Sequence, residues 1–183
     1  MRSWESLGDR LPPRLLAWIW SALLLLQVIL AFFVFREPKI QALSVAGWVL
    51  WTLGTVFAIL PIWALRTKGH VPEGKSYMAT TALVDTEIYA IVRHPQGGTA
   101  GLLLNLALVL LGQQWLLVIL AVVGMALIYM DTFGADEACI AKFGEEYERY
   151  MKRVPRVNFV AGLLRLLVRP RASDAAPPLN LAD

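Results

Sequence analysis

Residues 15–35 form a run of 21 residues that contains no charged side chain. A helix needs about 20 predominantly apolar residues to cross the hydrocarbon core of a bilayer, so this run is long enough for a transmembrane helix. The composition agrees, because 57% of the residues are hydrophobic and 17% are charged, whereas a typical soluble domain is about 45–50% apolar and about 25% charged. The chain is therefore predicted to be an integral membrane protein.

Three further apolar segments, at residues 40–65, 97–111 and 115–133, are predicted to be spanning helices as well. Short turns connect the first segment to the second and the third to the fourth, which indicates two antiparallel hairpins. The third segment is short, since a helix rises about 1.5 Å per residue, so it must tilt, begin earlier in the chain or thin the bilayer. The predicted fold is all-α, with four transmembrane helices and a cytosolic amphipathic helical segment at the C-terminal end.

Lysine and arginine are distributed unevenly between the parts outside these helices. They are concentrated in the N-terminal segment, in residues 66–96 and in residues 134–170, whereas the turn between the third and fourth helices carries no charge. Since segments rich in Lys and Arg stay on the cytoplasmic side, these parts and both termini are predicted to be cytoplasmic, at a cell inner membrane or an endomembrane. Residues 1–170 then form one membrane-embedded domain, and residues 171–183, rich in Ala, Pro and Asp, form a disordered tail.

A short polar block lies between two of the apolar segments. The block contains Tyr89, Arg93 and His94 and ends at Pro95, a residue that breaks a helix. Charged side chains this close to hydrocarbon are costly unless they have a partner or a ligand. The block therefore indicates a binding site, although a helix end whose basic residues contact lipid phosphate would have the same composition. Two glycines follow, which form a plain loop or let a ligand approach the backbone closely.

A second polar block follows the fourth apolar segment. It begins with Asp136 and Glu137 and continues with apolar residues at spacings of three and four, which is typical of an amphipathic helix. The helix is predicted to be interrupted at Gly144 and to end at 153–156, and the apolar stretch at 159–168 is predicted to lie in the headgroup plane. Taken alone, the acidic pair is better explained as a solvated helix face. The two histidines are too far apart in sequence for metal-ligand spacing, so no metal site is predicted, and no nucleic-acid partner is expected.

Together the two blocks resemble the integral-membrane methyltransferases of the isoprenylcysteine carboxyl methyltransferase and phospholipid N-methyltransferase superfamily. Residues 89–95 match the Tyr-x-x-Val-Arg-His-Pro block of that family. The acidic pair at 136–137 is followed, as in the family, by Phe-Gly-x-x-Tyr-x-x-Tyr at 143–150 and by Val-Pro-Arg at 154–156. The resemblance covers roughly residues 65–160 and agrees in the order and spacing of its motifs.

The resemblance implies S-adenosyl-L-methionine as the methyl donor, bound in a cytoplasmic pocket, and a membrane lipid or lipidated substrate as the acceptor. Arg93 would hold the cofactor's carboxylate through a charge-assisted hydrogen bond, and Asp136 or Glu137 would meet a cationic group or the ribose hydroxyls. A prenylcysteine-type carboxylate needs no base, whereas for a phospholipid amine Glu137 or His94 would be the catalytic base. The residues predicted to bind the cofactor are Tyr89, Arg93, His94, Pro95, Gly97, Gly98, Asp136 and Glu137.

Two other functions are compatible with the same sequence. A membrane reductase of the sterol-reductase type resembles this architecture but uses a nicotinamide cofactor, which calls for more phosphate-binding donors than the sequence offers. A non-catalytic helical scaffold or lipid-binding protein would use the basic block to contact headgroups. Gly97 stands where the methyltransferase family usually has an aromatic residue, and Glu87 where it usually has glycine, so the pocket shape or the cofactor affinity is expected to differ.

Overall fold

Four long apolar helices make up most of the computed structural model, which describes residues 15–35 and 40–168. Each of them is long and apolar enough to span a membrane, and no strand occurs within the described ranges. The prediction of an all-α fold with four helices of spanning length is confirmed. In chain order the helices are α1 (Leu15–Val34), α2 (Gln41–Lys68), the short α3 (Ile88–Ile91), α4 (Pro95–Gly112), α5 (Trp115–Phe143), α6 (Glu145–Arg153) and α7 (Phe159–Val168).

The helices differ from the predicted segments mainly at their ends. Helix α4 begins at Pro95, because proline is well tolerated in the first helical turn, and its first six residues, Pro95–Ala100, are π-helical. Its 18 residues cover about 27 Å, which nearly matches the roughly 30 Å hydrocarbon core. The early start therefore accounts for the apparent shortness of the third segment. Helix α5 continues to Phe143, well past the predicted membrane edge at residue 133.

Part of the predicted organisation lies outside the described residues. The N-terminal residues 1–14, the first turn at 36–39 and the tail at 171–183 belong to this part. The cytoplasmic placement of residues 66–96 and 134–170 stays a prediction, and so does the single-domain organisation.

Helix α4 lies at the centre of the bundle. Its spanning window is 61% buried, against 11%, 17% and 28% for α1, α2 and α5. Helix α2 approaches it closely at Gly47 and Gly54, where an added methyl group would lie 2.8 Å from Leu111 and 2.9 Å from Leu104. Small residues permit this approach, and they are enriched where membrane helices pack against each other.

A buried amide pair joins α1 to α4 inside the bundle. Gln27 Nε2 donates to Asn105 Oδ1 over 2.6 Å, and Asn105 Nδ2 donates to the Gly101 carbonyl over 2.8 Å. Both side chains are fully buried, and such bonds between membrane helices contribute about 0.6 kcal/mol on average. The pair therefore orients α1 against the central helix.

The segment that precedes α4 is held by the segment that follows α6. The backbone N–H groups of Arg93 and His94 donate to two successive carbonyls of that later segment, both over 3.0 Å. Gly98 permits the approach, since an added Cβ there would lie 2.6 Å from a methyl group of Val157. The two polar blocks of the sequence are thereby brought side by side at one end of the bundle.

Candidate functional site

The side chains of both polar blocks meet around the carboxylate of Asp136, a residue that is 3% exposed. His94 Nε2 donates to Oδ1 over 2.8 Å, and the Tyr147 hydroxyl donates to the same oxygen over 2.7 Å. Two guanidinium groups form ion pairs with the carboxylate: Arg156 Nη2 lies 2.8 Å from Oδ2, and Arg93 Nη1 lies 3.4 Å from Oδ1. These five residues are called the Asp136 cluster below.

The backbone explains how these side chains are positioned. Because α4 starts at Pro95, Arg93 and His94 lie in the extended segment directly in front of that helix. At Gly144 the backbone adopts a φ of +55°, which side chains with a Cβ rarely permit. The chain changes direction there, so α6 runs at an angle to α5, and the Tyr147 side chain contacts Asp136.

Helix α6 presents two tyrosines on its buried face, since residues three apart in a helix lie on the same side. Tyr147 reaches Asp136, and the Tyr150 hydroxyl donates to the Tyr89 carbonyl over 2.7 Å. Burial raises the pKa of both phenols above its ordinary value, and the hydrogen bond to Asp136 raises the pKa of Tyr147 further. Both hydroxyls therefore stay protonated and act as donors at physiological pH.

The Asp136 cluster contains more positive than negative charge. Two guanidinium groups face one carboxylate, and the Arg93 side chain is only 8% exposed. Arg93 Nε makes no hydrogen bond within the described part of the chain, although buried donors are normally satisfied, and Nη1 has the 3.4 Å ion pair with Asp136 Oδ1 as its contact. A ligand carboxylate that contacts the small exposed part of the Arg93 side chain would supply balancing negative charge.

A shallow cleft adjoins Arg93. Its volume is about 380 Å³, and its lining consists of Arg93, Ile140, Glu148, Met151 and Lys152. This volume lies at the lower end of the roughly 300–1,000 Å³ range of ligand pockets. Because the lining combines two cations, one carboxylate and two apolar side chains, the cleft is suited to a small zwitterionic ligand with an apolar part.

Arg156 connects the Asp136 cluster to the outer surface of α5. Its guanidinium carbon lies 3.7 Å from the centre of the Phe133 ring and 5.8 Å from the centre of the Tyr129 ring, distances that are typical of cation–π contacts. Both aromatic residues are 45% exposed. The cluster thus extends from a buried carboxylate to the edge of the helical bundle.

The structure brings together three of the predicted site residues, Arg93, His94 and Asp136. Tyr89 is connected to them through its backbone carbonyl, which accepts the Tyr150 hydrogen bond, and its ring packs against the apolar core. Pro95 is buried at the start of α4, where its role is to begin the helix.

The remaining predicted site residues lie apart from the cluster. Glu137 is exposed and takes part in no hydrogen bond or ion pair with any described residue, because adjacent residues on a helix point about 100° apart and Asp136 points inward. Gly98 is packed against Val157, whereas Gly97 is exposed and has open space around it. The acidic pair of the sequence is therefore split between a buried and an exposed face.

Four residues around the site carry no role in the sequence-based prediction, namely Tyr147, Glu148, Lys152 and Arg156. The spacing of three between Tyr147 and Tyr150 is a usable signal, because a buried phenol hydroxyl requires a hydrogen-bond partner. Arg156 belongs to the Val-Pro-Arg string of the family resemblance, but its spacing gives no signal of its own, since it follows the end of α6 and its position depends on how the later segment folds back.

Replacing Tyr147 by phenylalanine is expected to lower the free energy of unfolding by about 1.5–3 kcal/mol, the range for hydrogen bonds to charged groups. The matched variant Tyr150→Phe removes a bond to a neutral carbonyl and is expected to lose about 0.5–1.5 kcal/mol. Chemical denaturation in mild detergent measures both values. Equal losses in the two variants would contradict the contact between Tyr147 and an ionised Asp136.

No protein-family model matches this chain, and neither a curated protein nor a solved structure is found to be similar to it. The resemblance to the integral-membrane methyltransferases therefore rests on the motifs of the two polar blocks. The geometry of the Asp136 cluster does not depend on that resemblance, because it consists of contacts within this chain.

Proposed function

We propose that the protein transfers a methyl group from S-adenosyl-L-methionine to a lipophilic acceptor at the cytoplasmic face of a membrane. The observation that carries this proposal is Arg93, a mostly buried cation that lines a cleft beside the Asp136 cluster, where two guanidinium groups face one carboxylate. The motifs that resemble the methyltransferase family supply the residues on both sides of that cluster. A ligand with a carboxylate, a cationic group and an apolar part is the chemistry that this cleft favours.

The residues around the cleft fit this cofactor. The Arg93 guanidinium would hold the carboxylate of its amino-acid part through a charge-assisted hydrogen bond, and Glu148 would pair with the ammonium group. Ile140 and Met151 provide apolar walls for the adenine ring. When bound, the cofactor supplies an electrophilic methyl group on a sulfonium that is a good leaving group. Glu137 is exposed and does not line the cleft, so it is not part of this assignment.

Within the protein, Asp136 is a positioning residue. It holds His94 and Arg93 from the first block and Tyr147 and Arg156 from the second, so the orientation of the cleft depends on its carboxylate. Proximity and fixed orientation can lower the barrier of a displacement reaction by up to about 7–11 kcal/mol in well-held cases.

His94 is the candidate base if the acceptor is an amine. Its Nε2 is bound to Asp136, so Nδ1 is the nitrogen that can take up a proton, and a base oriented by a carboxylate is a common arrangement in enzymes. A prenylcysteine-type carboxylate would need no base. The acceptor, a membrane lipid or a lipidated substrate, would reach the cluster from the bilayer along the exposed Tyr129 and Phe133.

Calorimetric titration of the detergent-purified protein with S-adenosylhomocysteine tests this function. The matched probe is the decarboxylated analogue of S-adenosylhomocysteine, which keeps the ammonium group and the adenosine. We expect the wild-type chain to bind the carboxylate-bearing ligand about 10- to 100-fold more tightly, which corresponds to a charged hydrogen bond of about 1.5–3 kcal/mol. In Arg93→Gln the two ligands should bind equally.

The exposed Arg149, which pairs with Glu145 on the surface of α6, provides the matched control variant. Arg149→Gln should keep the preference of the wild-type chain, because its guanidinium does not line the cleft. Absence of S-adenosylhomocysteine binding by a folded wild-type chain would refute the proposal. Titration with a nicotinamide dinucleotide and with an anionic lipid headgroup would then test the reductase and the lipid-binding alternatives.

A further inference from the structure

Helix α7 exposes a continuous apolar stripe. The residues of the stripe recur at spacings of three and four, which places them on one face of the helix. Their exposed fractions range from 42% to 80%. The members of the stripe are Val160, Leu163, Leu164, Leu167 and Val168. A stripe of this kind is unusual on a surface that faces water, and it marks an interaction site.

The opposite face of α7 is docked against the candidate site. Gly162 lies so close to α3 that an added Cβ would collide with the Ile91 carbonyl. Arg165 donates from Nη2 to the Ala90 carbonyl and from Nη1 to the Arg153 carbonyl. These contacts determine the rotation of α7 about its axis, so the stripe points away from the protein.

The start of α7 lies beside a helix of spanning length. The ring of Phe159 packs against the ring of Phe57, with 5.4 Å between the ring centres. Phe57 lies in α2 about 16 Å before that helix ends at Lys68, and Val56 and Leu60 next to it are exposed. The first residue of α7 is therefore packed against a helix of spanning length that exposes apolar side chains close by.

We propose that α7 lies in the headgroup plane and that the occupant of its apolar stripe is the bilayer leaflet itself. Such a position suits a helix with one apolar face and basic residues near it. The sequence places Arg169 and Arg171 directly after the helix, and basic residues near the surface are attracted to anionic headgroups.

Helix α7, as an anchor in the leaflet, would position the candidate site through Arg165. That side chain joins the first polar block, at Ala90, to the end of α6, at Arg153, so the depth of α7 in the leaflet sets the depth of the Asp136 cluster. The inference does not rest on methyl transfer, since it concerns the placement of the site and not its chemistry.

Site-directed spin labelling tests the anchor. Nitroxide labels are placed at Leu164→Cys on the stripe, at Val122→Cys on the exposed side of α5 and at Glu146→Cys on the charged side of α6. Each variant carries Cys139→Ala, because Cys139 is the only cysteine of the sequence. The full chain is reconstituted in nanodiscs of equal parts phosphatidylcholine and phosphatidylglycerol, and label accessibility to oxygen and to a nickel chelate is measured.

We expect the ratio of oxygen to nickel accessibility at Leu164 to match that at Val122 and to exceed that at Glu146 several-fold. A ratio equal to that at Glu146 would place the stripe in water and overturn the proposal. Low access to both reagents together with spin–spin broadening would mean that a second copy of the chain covers the stripe, which also overturns it. If the Leu164 variant unfolds, Leu167→Cys on the same stripe replaces it.

Discussion

The variant Asp136→Asn is expected to lose about 3–5 kcal/mol of unfolding free energy, the cost of removing one partner of a buried ion pair. The reason is that Arg93 and Arg156 would remain in place without a counter-charge, and the Arg93 side chain is only 8% exposed. Asparagine has nearly the same shape as aspartate, so the loss reports charge rather than packing. Denaturant-induced unfolding in mild detergent, followed by near-ultraviolet circular dichroism, measures it.

The matched control for this experiment is Asp85→Asn. Asp85 also pairs with an arginine, Arg153, at 3.2 Å, but the two side chains are 41% and 48% exposed. Exposed ion pairs contribute about 0–1 kcal/mol, so this variant should be nearly as stable as the wild-type chain. If the two aspartate variants lose the same amount, the buried carboxylate does not hold the cluster together.

A second large effect is expected from Gly162→Ala. Alanine normally favours a helix over glycine by about 0.5–1 kcal/mol, but here its Cβ would collide with the backbone carbonyl of Ile91. A backbone atom cannot move aside as a flexible side chain can, so α7 must shift away from α3. We expect a net loss of about 1–3 kcal/mol, the usual range for overpacking, and faster amide hydrogen exchange at Val92 and Arg93.

Gly134→Ala provides the comparison. Gly134 lies inside α5, and an added Cβ there would meet no atom within 4 Å. Only the preference of alanine over glycine inside a helix then affects stability, so this variant should be as stable as the wild-type chain or more stable by up to about 1 kcal/mol. Unchanged hydrogen exchange at Val92 in both glycine variants would show that α7 does not support the first polar block.

These two effects arise in the same small region for a structural reason. The Asp136 cluster ties together the segment before α4, the end of α5 and the segment after α6, while α7 supports the first of these from outside. The end of α5 and α6 share a small apolar cluster around Tyr147, Tyr150 and Val154, but α3 and α6 are short and part of the connection is extended. The arrangement of these segments therefore depends on that cluster, on a few polar contacts and on two close glycine approaches, at Gly98 and Gly162.

The sequence alone determined the helical architecture. Length and apolar character are local properties of a segment. An uncharged run such as residues 15–35 is long enough to span the hydrocarbon core as a helix, so the sequence alone predicts that structure. The same holds for the interruption at Gly144 and the end of α6 near Pro155, because glycine and proline act on the backbone at their own positions. Arg93 and His94 are also predicted as site residues from the sequence, since charges near hydrocarbon require partners, whereas Asp136 is predicted only through the resemblance to the methyltransferase family.

Only the tertiary structure decided which side chains meet. Asp136 and Glu137 are adjacent in sequence, yet one is buried and the other exposed, because the face of α5 that turns inward depends on the segments packed against it. For the same reason Tyr147 and Arg156 reach Asp136, and Gly98 faces Val157 instead of open space. Contacts between distant segments are set by how helix faces fit each other, and this fit is not encoded in the composition or periodicity of any one segment.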